Sequence, residues 1–245
     1  MKKNTGIILA IASLALAVLA CQAVNGGGSN TAVPPANTAV IPVNTDSSTI
    51  PTQPSTGNVL LSDDFSSAQW GTGTDTDSSV EYANEALQFI VFTKNYFVWS
   101  TPNAKDYQNV HMEVTVLNNG TDSTTGFGLM CHQQASSKSS FYYLAMTPAG
   151  EYAIAKATAE QSDVFLTNND QWASSDLIAK DASSYRVGAD CANNGTLTLY
   201  VDGQQIVSIS DVSYTSGGVA VFAWSGEEAT TTDVSFDDFL MTELP

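Results

Sequence analysis

Sugars are held by aromatic faces that stack on their C–H surfaces and by polar side chains that bond their hydroxyls. The chain offers both kinds of residue. Trp99, Tyr142, Tyr143, Trp172 and Trp224 are the aromatic candidates, and His132, Gln133 and Lys156 are the polar ones. In the run Phe141-Tyr142-Tyr143-Leu144 neighbouring side chains point opposite ways if the run is a strand, so one of Tyr142 and Tyr143 faces out of the core. Trp172 lies in a polar stretch and is the least core-like of the set. Packing in the core is the alternative role for every one of these aromatics. Calcium is a second chemistry, since it takes oxygen ligands from carboxylates and loop carbonyls. Asp63, Asp64, Asp237 and Asp238 would meet if the terminal strands pair; capping of a turn or bulge is their alternative role. A nucleophilic triad is unsupported, because there are only 2 His and no Gly-x-Ser-x-Gly elbow. Of the 3 cysteines, Cys21 falls in a leader, which leaves Cys131 and Cys191 as an even pair. In an exported protein these are expected to form a disulfide between neighbouring strands, both side chains pointing to the core. A metal site would need more ligands than these two thiols and the scattered His111 and His132 supply.

Strands must position these residues. Tyr185, Val187, Ala189 and Cys191 alternate with Arg186, Gly188 and Asp190, and Leu197, Leu199 and Val201 alternate with Thr198, Tyr200 and Asp202. Both arms have period two, the pattern of half-buried strands. Asn194-Gly195 between them is the strongest short hairpin signal, because both residues tolerate positive φ. Further strands are read at Leu87 to Phe92, Tyr96 to Ser100, Val110 to Val116, Phe127 to His132, Phe141 to Met146, Tyr152 to Ala157, Val219 to Trp224 and Val234 to Met241. Asp163 to Asp181 reads as a loop. Turns every eight to twelve residues and no long helical period predict an all-β, two-sheet antiparallel sandwich over residues 59–245. That length supports one sizeable core.

The chain is strongly acidic, with 8 basic and 25 acidic side chains and a net charge of −17. Nucleic acid is excluded as a partner, since phosphate binding needs clustered Lys and Arg. The start of the chain is of a different kind. Lys2-Lys3, an apolar run from Ile7 to Ala20 and then Cys21 read as a signal peptide over residues 1–21, too short to span a bilayer. Val18-Leu19-Ala20-Cys21 resembles the bacterial lipobox. That resemblance implies cleavage before Cys21, a diacylglycerol thioether on its sulfur, and a membrane-anchored lipoprotein with its domain on the extracytoplasmic side. Residues 22–58 are rich in Pro, Thr, Asn, Ser and Gly, cannot build a core, and read as a disordered tether.

Several stretches together resemble the concanavalin A-like lectin/glucanase superfamily, and within it laminin-G-like jelly rolls and the 3-keto-disaccharide hydrolase domain. They are Asp63-Asp64-Phe65 with Trp70, Tyr185-Arg186-Val187 with Cys191, Leu197 to Gly203, Gly218 to Ala223, and Phe236-Asp237-Asp238-Phe239. The resemblance implies a jelly roll whose first and last strands are neighbours, a concave face where glycans often bind, and in some relatives a structural calcium. The paired-carboxylate pattern of the family 16 glucanases, Glu-x-Asp-x-Glu on one strand, is missing: Glu113 stands alone on its expected strand and Glu227-Glu228 reads as part of a loop. Glycoside hydrolysis ordinarily needs two such carboxylates. The reading is therefore a surface-anchored, monomeric module that binds extracellular carbohydrate without catalysis. The sites are Trp99, His132, Tyr142, Lys156, Trp172 and Trp224, and the ligands neutral or basic glycans, because acidity repels polyanions. The alternatives are an adhesion module with no saccharide site, or a hydrolase of the 3-keto-disaccharide type.

Overall fold

A computed structural model describes residues 57–226 and 231–245. Cys21 and the stretches read as a leader and a tether, along with Glu227 and Glu228, fall on residues outside those described. The elements are β1 (Val59–Asp63), β2 (Gly73–Thr74), β3 (Ser78–Ala83), β4 (Ala86–Val91), β5 (Phe97–Ser100), β6 (Val110–Asn118), β7 (Gly126–Gln133) and β8 (Phe141–Met146). They continue with β9 (Glu151–Ala157), β10 (Val164–Phe165), β11 (Ala173–Ser174), β12 (Ser184–Cys191), β13 (Thr196–Val201), β14 (Gln204–Ser210), β15 (Gly218–Trp224) and β16 (Thr232–Glu243). One sheet runs β14-β13-β12-β6-β16-β4-β3-β2, with β1 also beside β16, and the other runs β10-β9-β8-β7-β15-β5, with β11 also beside β9. All pairings are antiparallel.

Alternation builds the core. Val110, Met112, Val114 and Val116 of β6, Val187, Ala189 and Cys191 of β12, and Leu197, Leu199 and Val201 of β13 face inward from the first sheet. Phe127, Leu129 and Cys131 of β7, Tyr142, Leu144 and Met146 of β8, and Val219, Val221 and Ala223 of β15 meet them from the second. The hairpin turn closes at Gly195, which sits at φ 88°, a backbone conformation that costs a β-carbon strain. The terminal strands pair, with Asp63 opposite Phe239, and β16 kinks between Asp237 and Leu240 where its register against β6 shifts.

The disulfide is present, with the Cα atoms 6.5 Å apart. It differs from expectation in one respect: Cys131 and Cys191 are on facing strands of opposite sheets, not neighbours in one sheet. The physical reason is that both side chains point into the single core between the layers, where a bridge has to cross from sheet to sheet. The stretch read as a loop at Asp163 to Asp181 contains β10 and β11, and both pair with β9.

Candidate functional site

The second sheet is apolar on both faces. Away from the main core its outward residues make a separate apolar cluster: Met130, Phe141, Tyr143, Ala145, Ala155, Ala157, Ala220 and Phe222, with Phe97, Trp99, Phe165 and Trp172 packed at its margin. Period-two geometry puts them there. Phe97 and Trp99 point out from β5, Phe141 and Tyr143 from β8, and Phe222 and Trp224 from β15. At the centre Phe97 stacks on Phe222, ring centroids 4.6 Å apart and planes 15° apart. Tyr143 meets Phe222 edge-on at 5.7 Å.

A cleft of about 600 Å³ opens over this face, lined by Asn95, Phe97, Gly126, Tyr143, Ala145, Ser162, Asp163, Phe165, Trp172, Phe222 and Trp224. That volume lies in the range of small-ligand pockets. Trp172 and Trp224 stand nearly parallel, centroids 6.2 Å apart at 20°. Gly126 lies beneath them: a β-carbon there would come 3.1 Å from Trp224 Cε3 and 3.9 Å from Trp172 Cη2. Glycine thus lets the indoles approach the sheet. Trp224 Nε1 donates to Asn95 Oδ1 at 3.1 Å. Phe165 packs edge-on against Trp172 at 5.5 Å.

The loop before Trp172 is held by its own polar groups. Asn168, Asn169 and Asp170 all lie at positive φ. Asn168 Nδ2 donates to the Trp172 carbonyl at 2.7 Å, and the Phe165 amide donates to Asp170 Oδ1 at 2.7 Å. Consecutive left-handed residues are costly and persist where surroundings over-determine them; here they present Trp172 to the cleft. The polar wall is Asp163, whose Oδ2 accepts from the Tyr143 hydroxyl at 3.0 Å. Asp163 is an exposed residue, yet partial desolvation of its carboxyl raises it from its ordinary value, and the Tyr143 hydrogen bond only partly offsets this. A smaller hollow of about 230 Å³ adjoins, sharing Phe97 and Asp163 and adding Trp99, Phe141 and Glu160.

Of the anticipated sugar-site residues, the structure brings Trp172 and Trp224 together in the cleft and sets Trp99 in the adjoining hollow. Three do not reach this face. Tyr142 is fully buried, and its hydroxyl donates to the Asp211 carboxylate and accepts from the Tyr214 amide at 3.0 Å. Lys156, opposite Tyr142 on β9, shares that inward side, and its Nζ lies 3.2 Å from Asp211 Oδ2. His132 is buried, its ring nitrogens against the carbonyl oxygens of Tyr214 and Gln108 at 3.0 and 3.2 Å, and burial lowers its pKa. Gln133 is buried too, with its amide donating to the Lys138 carbonyl at 2.9 Å. Phe97, Phe222, Phe165, Asn95, Gly126 and Asp163 were not anticipated. Three aromatic pairs spaced by two residues, Phe97/Trp99, Phe141/Tyr143 and Phe222/Trp224, carry the signal that would have found Phe97 and Phe222.

Of the four aspartates expected to hold calcium, three have carboxylates that accept hydrogen bonds from within the domain. Asp63 accepts from the Phe65 amide at 2.9 Å and from Trp70 Nε1 at 3.0 Å, which turns it into the molecule. Asp64 caps Ser66 through its amide and hydroxyl at 3.1 and 2.6 Å. Asp237 accepts from the Asp238 amide at 2.7 Å, at the kink of β16. Burial, then the charges of Asp238, Asp64 and Glu85, raise the Asp237 carboxyl. Among the described residues no group of three or more His, Cys, Asp or Glu is arranged to hold a metal ion.

The class of fold follows from this architecture: a two-sheet antiparallel jelly-roll β-sandwich. No family model and no characterised protein matches the chain by sequence. Solved structures match its fold. The carbohydrate-binding module CBM66 from Bacillus subtilis superposes with a TM-score of 0.56 at 10% identity, covering 71% of this chain and 96% of that one. A Bacillus subtilis protein described as having a galectin-like fold gives 0.55 at 11% identity, covering 76% and 96%. A GH43 protein from Bacillus licheniformis gives 0.54 at 12% identity, covering 75% of this chain and 39% of that one.

Proposed function

We propose that this domain is a carbohydrate-binding module that holds a glycan in the Trp172–Trp224 cleft without hydrolysing it. The observation that carries this reading is the second apolar cluster: an array of aromatic rings on the sheet face away from the core, opening as a cleft edged by Asn95 and Asp163. Parallel indoles offer flat apolar surface to sugar C–H faces, and the adjoining carboxylate and amide offer hydroxyl partners. The likeness to a carbohydrate-binding module supports the same reading. Among the described residues the main cleft is lined by one carboxylate, Asp163, where hydrolysis ordinarily uses two.

We also propose that the chain is anchored through a lipid on Cys21 and carries this domain outside the membrane on the segment 22–58. The composition of that segment and the lipobox-like run support it. A glycan array probed with the purified protein, beside Trp172→Ala and Trp224→Ala, tests the binding reading. Hits that are lost in both variants while circular dichroism stays unchanged are the expected result. An array with no hits, or hydrolysis of a glycoside that Asp163→Asn or Glu160→Gln abolishes, refutes it.

A further inference from the structure

The cleft is acidic as well as aromatic. Asp163 lines both the main cleft and the smaller hollow, and Glu160 lines the hollow beside it. A third depression, of about 490 Å³ on the other side of Phe97 and Trp99, has Asp75 in its wall. No Lys or Arg is among the residues lining any of the three. Lys94 and Lys138 precede the lining residues Asn95 and Ser139 in sequence but do not themselves line the walls. Lys156 is paired with Asp211 on the inward side of the sheet. Asp163 makes no ion pair among the described residues. Its hydrogen bond comes from the neutral Tyr143 hydroxyl, and the further charge of Asp170 bears on that same tyrosine.

Asp163 is an exposed carboxylate at the cleft without a counter-charge among the described residues, so its charge is open to a cationic ligand. A cation arriving with the ligand would pair with it, and indole faces attract cations through their negative quadrupoles. From the pairing of Trp172 and Trp224 with an unpaired Asp163 we infer that the cleft selects glycans carrying a protonated amine, a de-N-acetylated amino sugar, over their neutral N-acetylated counterparts. Asp163 is the partner of the ammonium and the indoles are its apolar, cation-attracting wall. The inference rests on the carbohydrate-binding reading and narrows it: acidic sugars would face carboxylates with no balancing cation.

The test is titration of the intact protein, followed by tryptophan fluorescence, with a glucosamine oligomer and with an N-acetylglucosamine oligomer of the same length and linkage. Mildly acidic, low-salt buffer keeps the amine charged. The glucosamine oligomer is expected to bind about tenfold tighter or better, the scale of one desolvated cation–π contact plus a charge-assisted hydrogen bond. The preference should shrink as salt is raised. Asp163→Asn, which keeps an acceptor for Tyr143, should bring the two affinities together without changing the near-ultraviolet circular dichroism. Equal affinities in the wild type, or a preference that survives in Asp163→Asn, overturn the inference while leaving glycan binding intact. Binding of neither oligomer, with an array that has other hits, overturns the inference alone. Binding of neither, with an empty array, overturns the binding reading as well.

Discussion

Removing the disulfide should destabilise the domain by several kcal/mol, and the structure fixes the size of the effect. Cys131 and Cys191 are 60 residues apart in sequence. Closing a loop of that length in the unfolded chain removes about 14 cal/mol/K of entropy, or about 4 kcal/mol at 25 °C. Both cysteines are fully buried, so Cys131→Ala with Cys191→Ala also leaves space where two sulfurs packed, adding about 1–2 kcal/mol. For a domain of this size each kcal/mol moves the melting point by roughly 2–4 °C. The double variant should therefore melt on the order of 10–20 °C lower in a calorimetric scan. A drop of less than about 3 °C would mean that the bridge does not constrain the unfolded chain, and the argument from loop length would fail. Burial also sets the route of reduction. A reductant reaches the bond only when the sheets part, so the native protein should resist thiol labelling under reducing conditions at moderate temperature. Prompt labelling would show that the sheets open far more often than a packed sandwich allows.

Three further outcomes are expected. Tyr142→Phe deprives the Tyr214 amide and the Asp211 carboxylate of a partner, so it should cost about 1–3 kcal/mol in denaturant unfolding while glycan affinity stays unchanged. His111 lies between Asp190 at 2.6 Å and Glu113 at 3.3 Å; burial opposes its charging, but the hydrogen bonds and charges of these carboxylates raise it to about 9. Because the folded value lies above the unfolded one, protonated His111 stabilises fully below pH 6.5 and loses its contribution as pH rises towards 9. Stability should fall across that window by on the order of 2 kcal/mol, allowing for solvent screening of a partly exposed group, and His111→Gln should flatten the profile in urea titrations at stepped pH. Cys21→Ser should release the protein from membranes or leave it unprocessed on gels; a variant that fractionates and migrates as the wild type does would exclude the lipid anchor.

Strand period made most of the first sheet legible. Leu197, Leu199 and Val201 were readable as inward because the polar residues between them left one choice of face. The second sheet hid its register, because both its faces are apolar and a strand such as β8 reads as an unbroken hydrophobic run. The choice between Tyr142 and Tyr143 turns on pairing: Tyr142 stands opposite Cys131, and cross-strand partners share a face. Once the disulfide puts Cys131 in the core, Tyr142 is inward and Tyr143 outward. Lys156, opposite Tyr142, goes inward by the same step. β3 was missed because Ser78 and Ser79 are buried polar residues, which pattern reading assigns to loops. Asp163 was missed because its segment lacks alternation; it is placed by β10 pairing with β9.

The aromatic face also bears on the proposed ligand site. A sandwich needs one buried face per sheet, and the first sheet follows that rule: its outer surface carries Glu113, Thr115, Arg186 and Asp190, joined in part by the ion pairs of Glu113 with Arg186 and of Asp190 with His111. The second sheet departs from it, placing Phe97, Trp99, Phe141, Tyr143, Phe222 and Trp224 on the side away from the main core, where a second apolar cluster forms. Folding alone does not call for this, since polar residues on an outward face serve a sheet at least as well. Phe141, Tyr143 and Phe222 are already buried there, while Phe97, Trp99 and Trp224 are partly exposed; on the proposed reading a ligand would cover these last rings. The glycine beneath the indoles points the same way. A β-carbon at position 126 would come 3.1 Å from Trp224 Cε3 and press that indole away from the sheet, while only touching Trp172 at 3.9 Å.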